Sequence, residues 1–333
     1  MNSKFEKWDE SCTPESLQAI ADACVHCGKC RENCAFLDKY EMDLGDVTKL
    51  SEHIYGCFLC GNCDRVCPAG ISGRQLFQDL RRMQVRDGKL EEKPYSFVLK
   101  EKKDYKFRNY RNATAGRVLF PGCNFPSMFP KTNRKISDLC KAKGIGTVYD
   151  CCGKPIAELG LYRDEERIVN RISRELESRG IGEVITTCPN CYYFLKERIP
   201  QKVRSIYEVL PDLVPENSVP EGIEIQIPCP DRTHREWYDA ICKLLGYEPA
   251  VTLAEQCCGL GGMASAEEPA LAKKFGEGLT SSGIRNTTFC ASCAGQYARN
   301  GKEIRHMLSL LLGMEEAPAT KTSYLNRVKT KYK

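Results

Sequence analysis

Eight cysteines near the start of the chain follow one spacing twice. The spacing C-x2-C-x2-C-x3-C occurs at Cys24, Cys27, Cys30 and Cys34, and again at Cys57, Cys60, Cys63 and Cys67. Three cysteines at intervals of three can wrap one iron–sulfur cubane, and the fourth cysteine of such a run binds the other cluster. We therefore expect two cubane [4Fe-4S] clusters, the first on Cys24, Cys27, Cys30 and Cys67 and the second on Cys57, Cys60, Cys63 and Cys34.

Zinc is the alternative metal for this region, because C-x2-C pairs also bind zinc. A zinc site needs four ligands and leaves the third cysteine of each triplet unexplained, so we favour the bacterial ferredoxin type of site. The first run has Ala35 where a proline usually stands, which removes no ligand. Apolar residues at helical spacing predict a helix over 73–86, and a second helix is expected over 43–53, so the region should be a mainly helical ferredoxin.

A different cysteine pattern follows in two copies. Each copy has a single cysteine, then Cys-Cys-Gly, then a C-x2-C pair; the copies are Cys123, Cys151, Cys152, Cys188, Cys191 and Cys229, Cys257, Cys258, Cys290, Cys293. Corresponding cysteines lie 106 residues apart at the first three positions and 102 apart at the last two. This near-constant offset indicates an internal duplication. The proline-containing stretch 212–222 is predicted to be the hinge between the copies.

Short apolar strands alternate with helices in both copies, which predicts parallel βαβ units. Strands are expected over 117–123, 146–150, 182–188, 223–229, 250–256 and 287–293, and helices over 131–143, 165–178, 233–245 and 270–279. Ligands of parallel sheets bind at the carboxyl ends of the strands, where these cysteines lie. We interpret Gly153 and Gly259 as positions where a side chain would crowd a bound cluster or require a strained backbone.

Five thiolates at one site exceed the four that a cubane or a zinc ion takes. A thiolate can bridge two irons, so five sulfurs suggest an opened, non-cubane iron–sulfur cluster in each copy. Cys188 and Cys191 alone could form a thioredoxin-type redox pair, but their counterparts lack the intervening proline. Cysteines also pack in cores, and we assign Cys140 and Cys242 to packing because both lie inside predicted helices.

The duplicated pattern resembles the CCG domains of heterodisulfide reductase catalytic subunits, here placed behind a two-cluster ferredoxin. The similarity extends from Cys24 to Cys293. It implies an α+β multidomain chain, in which a helical two-cluster [4Fe-4S] ferredoxin is followed by two repeated Rossmann-like α/β CCG domains. The expected parts are a ferredoxin domain at 1–88, a charged linker at 89–116, CCG domains at 117–211 and 223–313, and a basic tail at 314–333.

The resemblance also implies two non-cubane [4Fe-4S] clusters, one on each set of five cysteines, and reduction of a disulfide or related thiol substrate there. These ten cysteines are therefore the candidate catalytic residues, and a flavoprotein or other electron-donor subunit of a complex is the expected partner. A disulfide takes two electrons and a cluster gives one at a time, which would give the duplication a mechanistic reason. The first gap in each copy, 27 residues, is shorter than the family leads us to expect.

An electron-relay subunit is the alternative function. It would lie between a flavoprotein, of the electron-transferring flavoprotein or 2-hydroxy acid dehydrogenase type, and another acceptor. The same family includes iron–sulfur subunits of glycolate, lactate and glycerol-phosphate oxidising complexes. Many of those have incomplete cysteine sets, so the complete sets of this chain favour chemistry at sulfur.

Product thiolates need protons, and His234 follows Cys229 closely enough to be a candidate donor. The alternative is that Asp231 or Thr233 caps the next helix and that His234 faces solvent. Lys154, beside the first Cys-Cys-Gly, could bind an anionic group of a substrate or could be a surface lysine.

The composition sets the remaining expectations. Twenty-one cysteines in 333 residues would suggest disulfides in a small secreted protein, but this chain is long and its first residues lack a signal-peptide pattern. We therefore expect a cytoplasmic protein without a membrane span. The net charge of +5 counts no thiolates, and basic residues cluster only at 100–111 and in the tail. We interpret both as solvated segments, and no nucleic acid partner is expected.

Overall fold

The computed structural model describes residues 13–214, 221–252, 257–279 and 285–333. The chain divides into two compact units. The first comprises Met1–Lys100, Pro155–Glu166 and Glu255–Phe275, and the second comprises Glu101–Lys154, Arg167–Ala254 and Gly276–Lys333. The segments that follow the two Cys-Cys-Gly sequences therefore belong to the same unit as the ferredoxin region.

The first unit is helical in its N-terminal part. Its helices there are α1 (Pro14–Ala23), α2 (Lys29–Glu32), α3 (Ala35–Lys39), α4 (Val47–Glu52) and α5 (Gly73–Arg86), with 3-10 turns at Ile54–Gly56, Asp64–Val66 and Lys93–Tyr95. Helix α5 has the predicted bounds, and Ser72 caps it by accepting a hydrogen bond from the Gln75 backbone N–H. The predicted helix at 43–53 starts later, at Val47, because Asp43 accepts a bond from the Gly45 backbone N–H in a preceding turn.

The core of this unit lies between α3, α4 and α5. Phe36, Leu37, Leu50, Leu76 and Phe77 are each at most 1% exposed. Burial of such side chains contributes about 1.5–3 kcal/mol each. The helices therefore fix the loops that carry the first eight cysteines.

The second unit contains two sheets. The first has strands β1 (Asn109–Asn112), β2 (Gly116–Phe120), β3 (Gly146–Tyr149), β4 (Ile181–Thr186) and β5 (Lys202–Ser205), in the order β1-β3-β2-β4-β5. Strands β2 to β5 pair in parallel, and β1 pairs antiparallel with β3 at the edge. The helices along this part of the chain are α6 (Ser96–Lys102), α7 (Phe125–Met128), α8 (Pro130–Ala142), α9 (Lys154–Ala157), α10 (Tyr162–Glu177), α11 (Pro189–Lys196) and α12 (Ile206–Leu213). Residues 96–100 of α6 and the parts of α9 and α10 within 155–166 belong to the first unit.

The second sheet repeats this topology. Its strands are β6 (Ile223–Gln226), β7 (Ala250–Val251), β8 (Arg285–Thr288) and β9 (Arg305–His306), in the order β7-β6-β8-β9 and all parallel. Without the edge strand β1, each sheet places its second strand beside its first and its third on the other side. The order in which strands are added to the sheet thus reverses at β2 and at β6. Parallel sheets bind ligands at such switch points.

The helices of this second half complete the fold. They are α13 (Glu236–Leu245), α14 (Pro269–Glu277), α15 (Ala291–Arg299), α16 (Met307–Leu311) and α17 (Ser323–Thr330), with 3-10 turns at Cys229–Asp231 and Gly261–Ala266. The four helices predicted in the two copies appear within three residues of their expected starts. Residues 253–256 of a predicted strand and 215–220 of the predicted hinge lie outside the described residues. None of the described helices has the length and apolar composition to cross a bilayer.

The segments interpreted as solvated, 100–111 and the tail, are instead part of the fold, so that interpretation was wrong. Tyr105 and Phe107 are buried, and Asn109 lies in the edge strand β1. The Asn109 side-chain amide donates to the Thr330 carbonyl oxygen at 3.0 Å, which ties β1 to α17. The many charges of both segments concealed the few buried aromatic residues that anchor them.

Candidate metal centres

The two ferredoxin runs adopt the same backbone loop. His26 and Leu59, at equivalent positions, have φ values of 49° and 50°, and the glycines two residues later have values of 73° and 68°. A left-handed conformation costs a non-glycine residue roughly 1–2 kcal/mol. Because the same uncommon conformation occurs at both positions, we infer that both loops bind the same kind of ligand.

Glycines leave room for these sulfurs, and backbone N–H groups donate hydrogen bonds to two of them. A Cβ on Gly45 would lie 2.6 Å from Cys24 Cβ, and a Cβ on Gly73 would lie 2.5 Å from Cys63 Sγ. Backbone N–H groups donate to Cys57 Sγ at 3.4 Å and to Cys67 Sγ at 3.3 Å. Hydrogen bonds to sulfur are one of the means by which proteins stabilise iron–sulfur clusters.

The fourth cysteine of the first run lies near the second run. Burial, followed by the charge of Cys60, raises the pKa of Cys34 to about 11. Burial is also the main cause that raises the pKa of Cys57 and Cys63, and the charge of Cys34 adds to both. Such thiols would stay protonated at neutral pH unless a metal bound them. The donor set of thiols therefore fits a metal cluster, and Cys34 stands where the second cluster would need its fourth ligand.

The first set of five cysteines converges at the carboxyl ends of β2, β3 and β4. Cys123 Sγ lies 4.0 Å from Cys151 Sγ. Hydrogen bonds from Cys151 and Cys191 lower the pKa of Cys152 to about 5, and Cys191 in turn contacts Cys188. These contacts join all five sulfurs, which is the arrangement that a shared metal cluster requires.

Gly122, which we did not single out from the sequence, leaves room for a cysteine sulfur at this site. Gly122 has a φ of 71°, and a Cβ there would lie 2.8 Å from Cys191 Sγ. The glycines that we did single out have other neighbours: a Cβ on Gly153 would meet Ile168 at 3.0 Å, and one on Gly259 would meet the Ala272 carbonyl oxygen at 2.3 Å. Both have positive φ values, so the backbone needs glycine there, but the nearest atoms belong to helices.

The second set of five cysteines is divided between the units. Cys257 and Cys258 belong to the first unit, where Cys257 Sγ accepts a hydrogen bond from the Gly259 backbone N–H at 3.3 Å. The other three, Cys229, Cys290 and Cys293, belong to the second unit. A hydrogen bond from Cys293 lowers the pKa of Cys290 to about 7.

The C-x2-C loops of the two halves contact each other within the second unit. The Asn190 side-chain amide lies 3.5 Å from Cys290 Sγ, and the Asn124 amide donates to Ser292 Oγ at 2.7 Å. Helix α11 packs against the turn Cys229–Asp231, and α15 packs against α7 in the reciprocal way. Each half thus contributes polar groups to the cysteine region of the other, in a pseudo-twofold arrangement.

Buried charges adjoin the first set of five, and all of them come from segments that the sequence analysis had treated as solvated. Lys102 Nζ lies 2.7 Å from Glu101 Oε1 and 4.7 Å from the centre of the Tyr105 ring, and Arg327 Nε lies 3.4 Å from Glu101 Oε1. The Tyr105 ring packs against Cys151. Burial alone would lower the pKa of Lys102, but the charges of Cys123 and Cys151 raise it. Two cations and one carboxylate leave one net positive charge beside the thiols.

The polar residues that follow Cys229 contact a helix start and an aromatic ring. Asp231 is buried and accepts hydrogen bonds from the Trp237 and Tyr238 backbone N–H groups, so it caps α13. His234 is exposed, and its ring stacks on Tyr193 with 5.5 Å between ring centres. His234 therefore faces solvent, as the alternative expected. Lys154 begins α9.

Two known domain families match the parts of the chain that contain these cysteines. The cysteine-rich domain family matches residues 118–196 and 228–298, and the 4Fe-4S dicluster domain family matches residues 20–71. The two cysteine-rich matches cover the two copies of the duplicated cysteine pattern.

Several known proteins are similar in sequence to different lengths of this chain. A dihydromethanophenazine:CoB–CoM heterodisulfide reductase subunit from Methanosarcina mazei is 25% identical over 326 residues, which cover 83% of this chain and 79% of the relative. A ferredoxin:CoB-CoM heterodisulfide reductase subunit from Methanosarcina acetivorans is 32% identical over 86 residues, 23% of this chain and 34% of the relative. A glycolate oxidase iron–sulfur subunit from Escherichia coli is 22% identical over 271 residues, 59% of this chain and 65% of the relative. The chain is therefore an iron–sulfur oxidoreductase subunit related to heterodisulfide reductase.

Proposed function

We propose that this chain reduces a disulfide or a related thiol-linked substrate at its two sets of five cysteines. In this account two cubane [4Fe-4S] clusters in the ferredoxin region receive electrons from a flavoprotein or another electron-donor subunit. Two non-cubane [4Fe-4S] clusters, on Cys123, Cys151, Cys152, Cys188, Cys191 and on Cys229, Cys257, Cys258, Cys290, Cys293, are the place of reduction. When bound, such clusters would supply single electrons and an iron that accepts a thiolate.

The observation that carries the proposal is the reciprocal contact between the C-x2-C loops of the two halves. Because Asn190 reaches Cys290 and Asn124 reaches Ser292, the two cysteine regions are neighbours, as a two-electron substrate with two sulfurs requires. A relay needs only a sequence of sites, and this reciprocity would serve no purpose in it.

The chain's own residues support binding of an anionic centre and an anionic product. The net positive charge of Lys102, Arg327 and Glu101 favours negative charge at the neighbouring thiols. Asn190 offers an amide N–H to a sulfur of the other half, and an N–H donor lowers the energy of a thiolate. His234 remains our candidate for delivering a proton from solvent to a product thiolate.

Electron relay is the second candidate, and the similarity to a glycolate oxidase iron–sulfur subunit favours it. In that case the chain would pass electrons between a flavoprotein and a further acceptor and would bind no substrate of its own.

Electron paramagnetic resonance distinguishes the two candidates. The oxidised protein, purified without oxygen, is titrated with a panel of small thiols, and the spectrum is recorded after each addition. Direct chemistry predicts a new or shifted signal that saturates with one thiol. A spectrum indifferent to every thiol, in a protein that a flavoprotein reduces normally, would support relay instead.

A further inference from the structure

Arg81, on helix α5, is fully buried, and its hydrogen bonds have an unusual set of acceptors. The exposed fraction of its side chain is 0%. Nε and Nη2 both donate to the Ile54 carbonyl oxygen, at 3.0 and 2.8 Å, and Nη2 also donates to the Cys57 carbonyl oxygen at 2.7 Å. Nη1 donates to the carbonyl oxygens of Glu158 and Gly262 at 2.6 and 2.7 Å. A guanidinium has five N–H donors, so this one is fully used.

These acceptors belong to three separate segments of the first unit. Ile54 and Cys57 lead into the second cysteine run. Glu158 lies six residues after Cys152, and Gly262 lies four residues after Cys258. In the numbering of the duplication, with its offset of 106, Gly262 corresponds to residue 156, two residues from Glu158. One guanidinium therefore contacts nearly equivalent places in both repeats.

Two glycines permit this close approach. Gly160 has a φ of 83°, and a Cβ there would lie 2.5 Å from the Arg81 carbonyl oxygen. Gly262 has a φ of 65°, and a Cβ there would lie 2.4 Å from the Cys57 carbonyl oxygen. Backbone therefore meets backbone at both contacts, with no room for a methyl group.

The charge of Arg81 has no carboxylate among its hydrogen-bond acceptors. Carbonyl dipoles and the Tyr55 ring, whose centre lies 5.1 Å from the guanidinium carbon, contact this cation. Its positive charge therefore acts on neighbouring anionic groups, including the Glu158 carboxylate. One of the residues whose backbone it contacts is Cys57, an expected ligand of the second cubane cluster. A buried cation beside a cluster favours the reduced, more negative form.

We propose that Arg81 is a positioning residue that holds the second cubane site against the loops following both Cys-Cys-Gly sequences, so that one cluster serves both repeats, and that its charge raises the reduction potential of that cluster. This inference rests on the proposed function in one respect, since it assumes that electrons leave the ferredoxin region for the repeats. The contacts themselves, and their effect on the potential, do not depend on the substrate.

The first test compares Arg81→Met and Arg81→Lys with Arg86→Met, an exposed arginine of the same helix, in the full-length protein with its clusters. Potentiometric titration followed by electron paramagnetic resonance gives the reduced-to-oxidised ratio of the second cubane. At the wild-type midpoint we expect Arg81→Met to lower that ratio about tenfold, which is 59 mV for one electron. Arg81→Lys keeps the charge and should stay within about twofold of wild type, as should Arg86→Met.

Hydrogen exchange measures the positioning role separately. Lysine has three donors instead of five, so both Arg81 variants should speed exchange about tenfold in peptides covering 155–166 and 257–275. Unchanged exchange and an unchanged ratio in Arg81→Met would overturn the proposal. Should Arg81→Met fail to retain iron, Gly160→Ala and Gly262→Ala disturb the two contacts one at a time, with Gly88→Ala as control, since Gly88 has a φ of 68° and open space.

Freeze-quench spectroscopy of the glycine variants completes the test. After reduction by dithionite, Gly160→Ala should delay electron arrival at the first set of five cysteines and Gly262→Ala at the second, while Gly88→Ala should delay neither. Arrival at wild-type rates in both variants, despite faster exchange in their segments, would refute the positioning role. A wild-type protein without iron at the five-cysteine sets would instead contradict the proposed function, and the effect of Arg81 on the cubane potential would still be measured.

Discussion

The substitution Gly122→Ala tests the geometry of the first five-cysteine site most sharply. The new methyl group would lie 2.8 Å from Cys191 Sγ, a separation that real Cβ atoms essentially never show. The sulfur must therefore move by several tenths of an ångström, whereas metal–ligand distances tolerate about 0.2 Å. We expect the variant to lose the cluster of this site while the other three remain.

Backbone strain is a second effect of the substitution, and Gly144→Ala isolates it. Gly144 has a φ of 72°, against 71° for Gly122, and its Cβ would meet nothing within 4 Å. Both variants should lose roughly 1–2 kcal/mol of unfolding free energy from the left-handed backbone. The difference between them therefore reports the contact with Cys191 alone.

The assay is iron and sulfide content per chain, measured on protein purified without oxygen, alongside denaturant unfolding. We expect Gly122→Ala to carry about a quarter less iron than Gly144→Ala, because one of four proposed clusters of equal iron content is lost. Equal iron content in the two variants, with equal loss of stability, would refute the claim that Cys191 is a ligand held in place by the backbone at Gly122.

Three further predictions concern buried titratable groups in the second unit. Lys102→Met removes a cation near Cys123 and Cys151, so the first five-cysteine site should become harder to reduce while Lys102→Arg leaves it unchanged; a potential unaffected by Lys102→Met in a redox titration would argue against this role. Arg171 lies 2.5 Å from the fully buried Asp150, so Arg171→Met should cost about 3–5 kcal/mol in denaturant unfolding, and adding Asp150→Asn should recover part of the loss. Burial lowers the pKa of His306 to about 3, below its usual value near 6.5, so the folded state resists protonation and its stability falls as the pH drops below 6.5. Between pH 6.5 and 5.5 wild type should lose about 1 kcal/mol more than His306→Gln, and parallel pH profiles would contradict this assignment.

The cysteine pattern predicted which thiols form each set, and the structure brings the five thiols of the first set into contact. The offset between the copies anticipated two sheets of the same topology, and helical periodicity gave the bounds of α5. The contacts of Asn124 and Asn190 with the other half could not be predicted from the sequence, because they depend on how the two halves pack.

The charged residues that sequence reasoning missed are all buried by contacts with residues far away in the sequence. Lys102 and Arg327 looked like members of solvated basic segments, and Arg81 looked like one of several arginines on an amphipathic helix. The weak signal that could have found the first two is the set of aromatic residues within the charged stretch, such as Tyr105 and Phe107. An aromatic residue in such a stretch needs a buried place, and it brings its charged neighbours with it.

We propose that each half of the duplicated region binds iron through five cysteines. Anomalous diffraction at the iron edge, from crystals grown without oxygen, would locate the iron atoms. We expect four separate groups of iron peaks, two beside the C-x2-C-x2-C-x3-C runs and one beside each five-cysteine set. No peak at either set of five, or a peak there at the zinc edge alone, would refute the proposal.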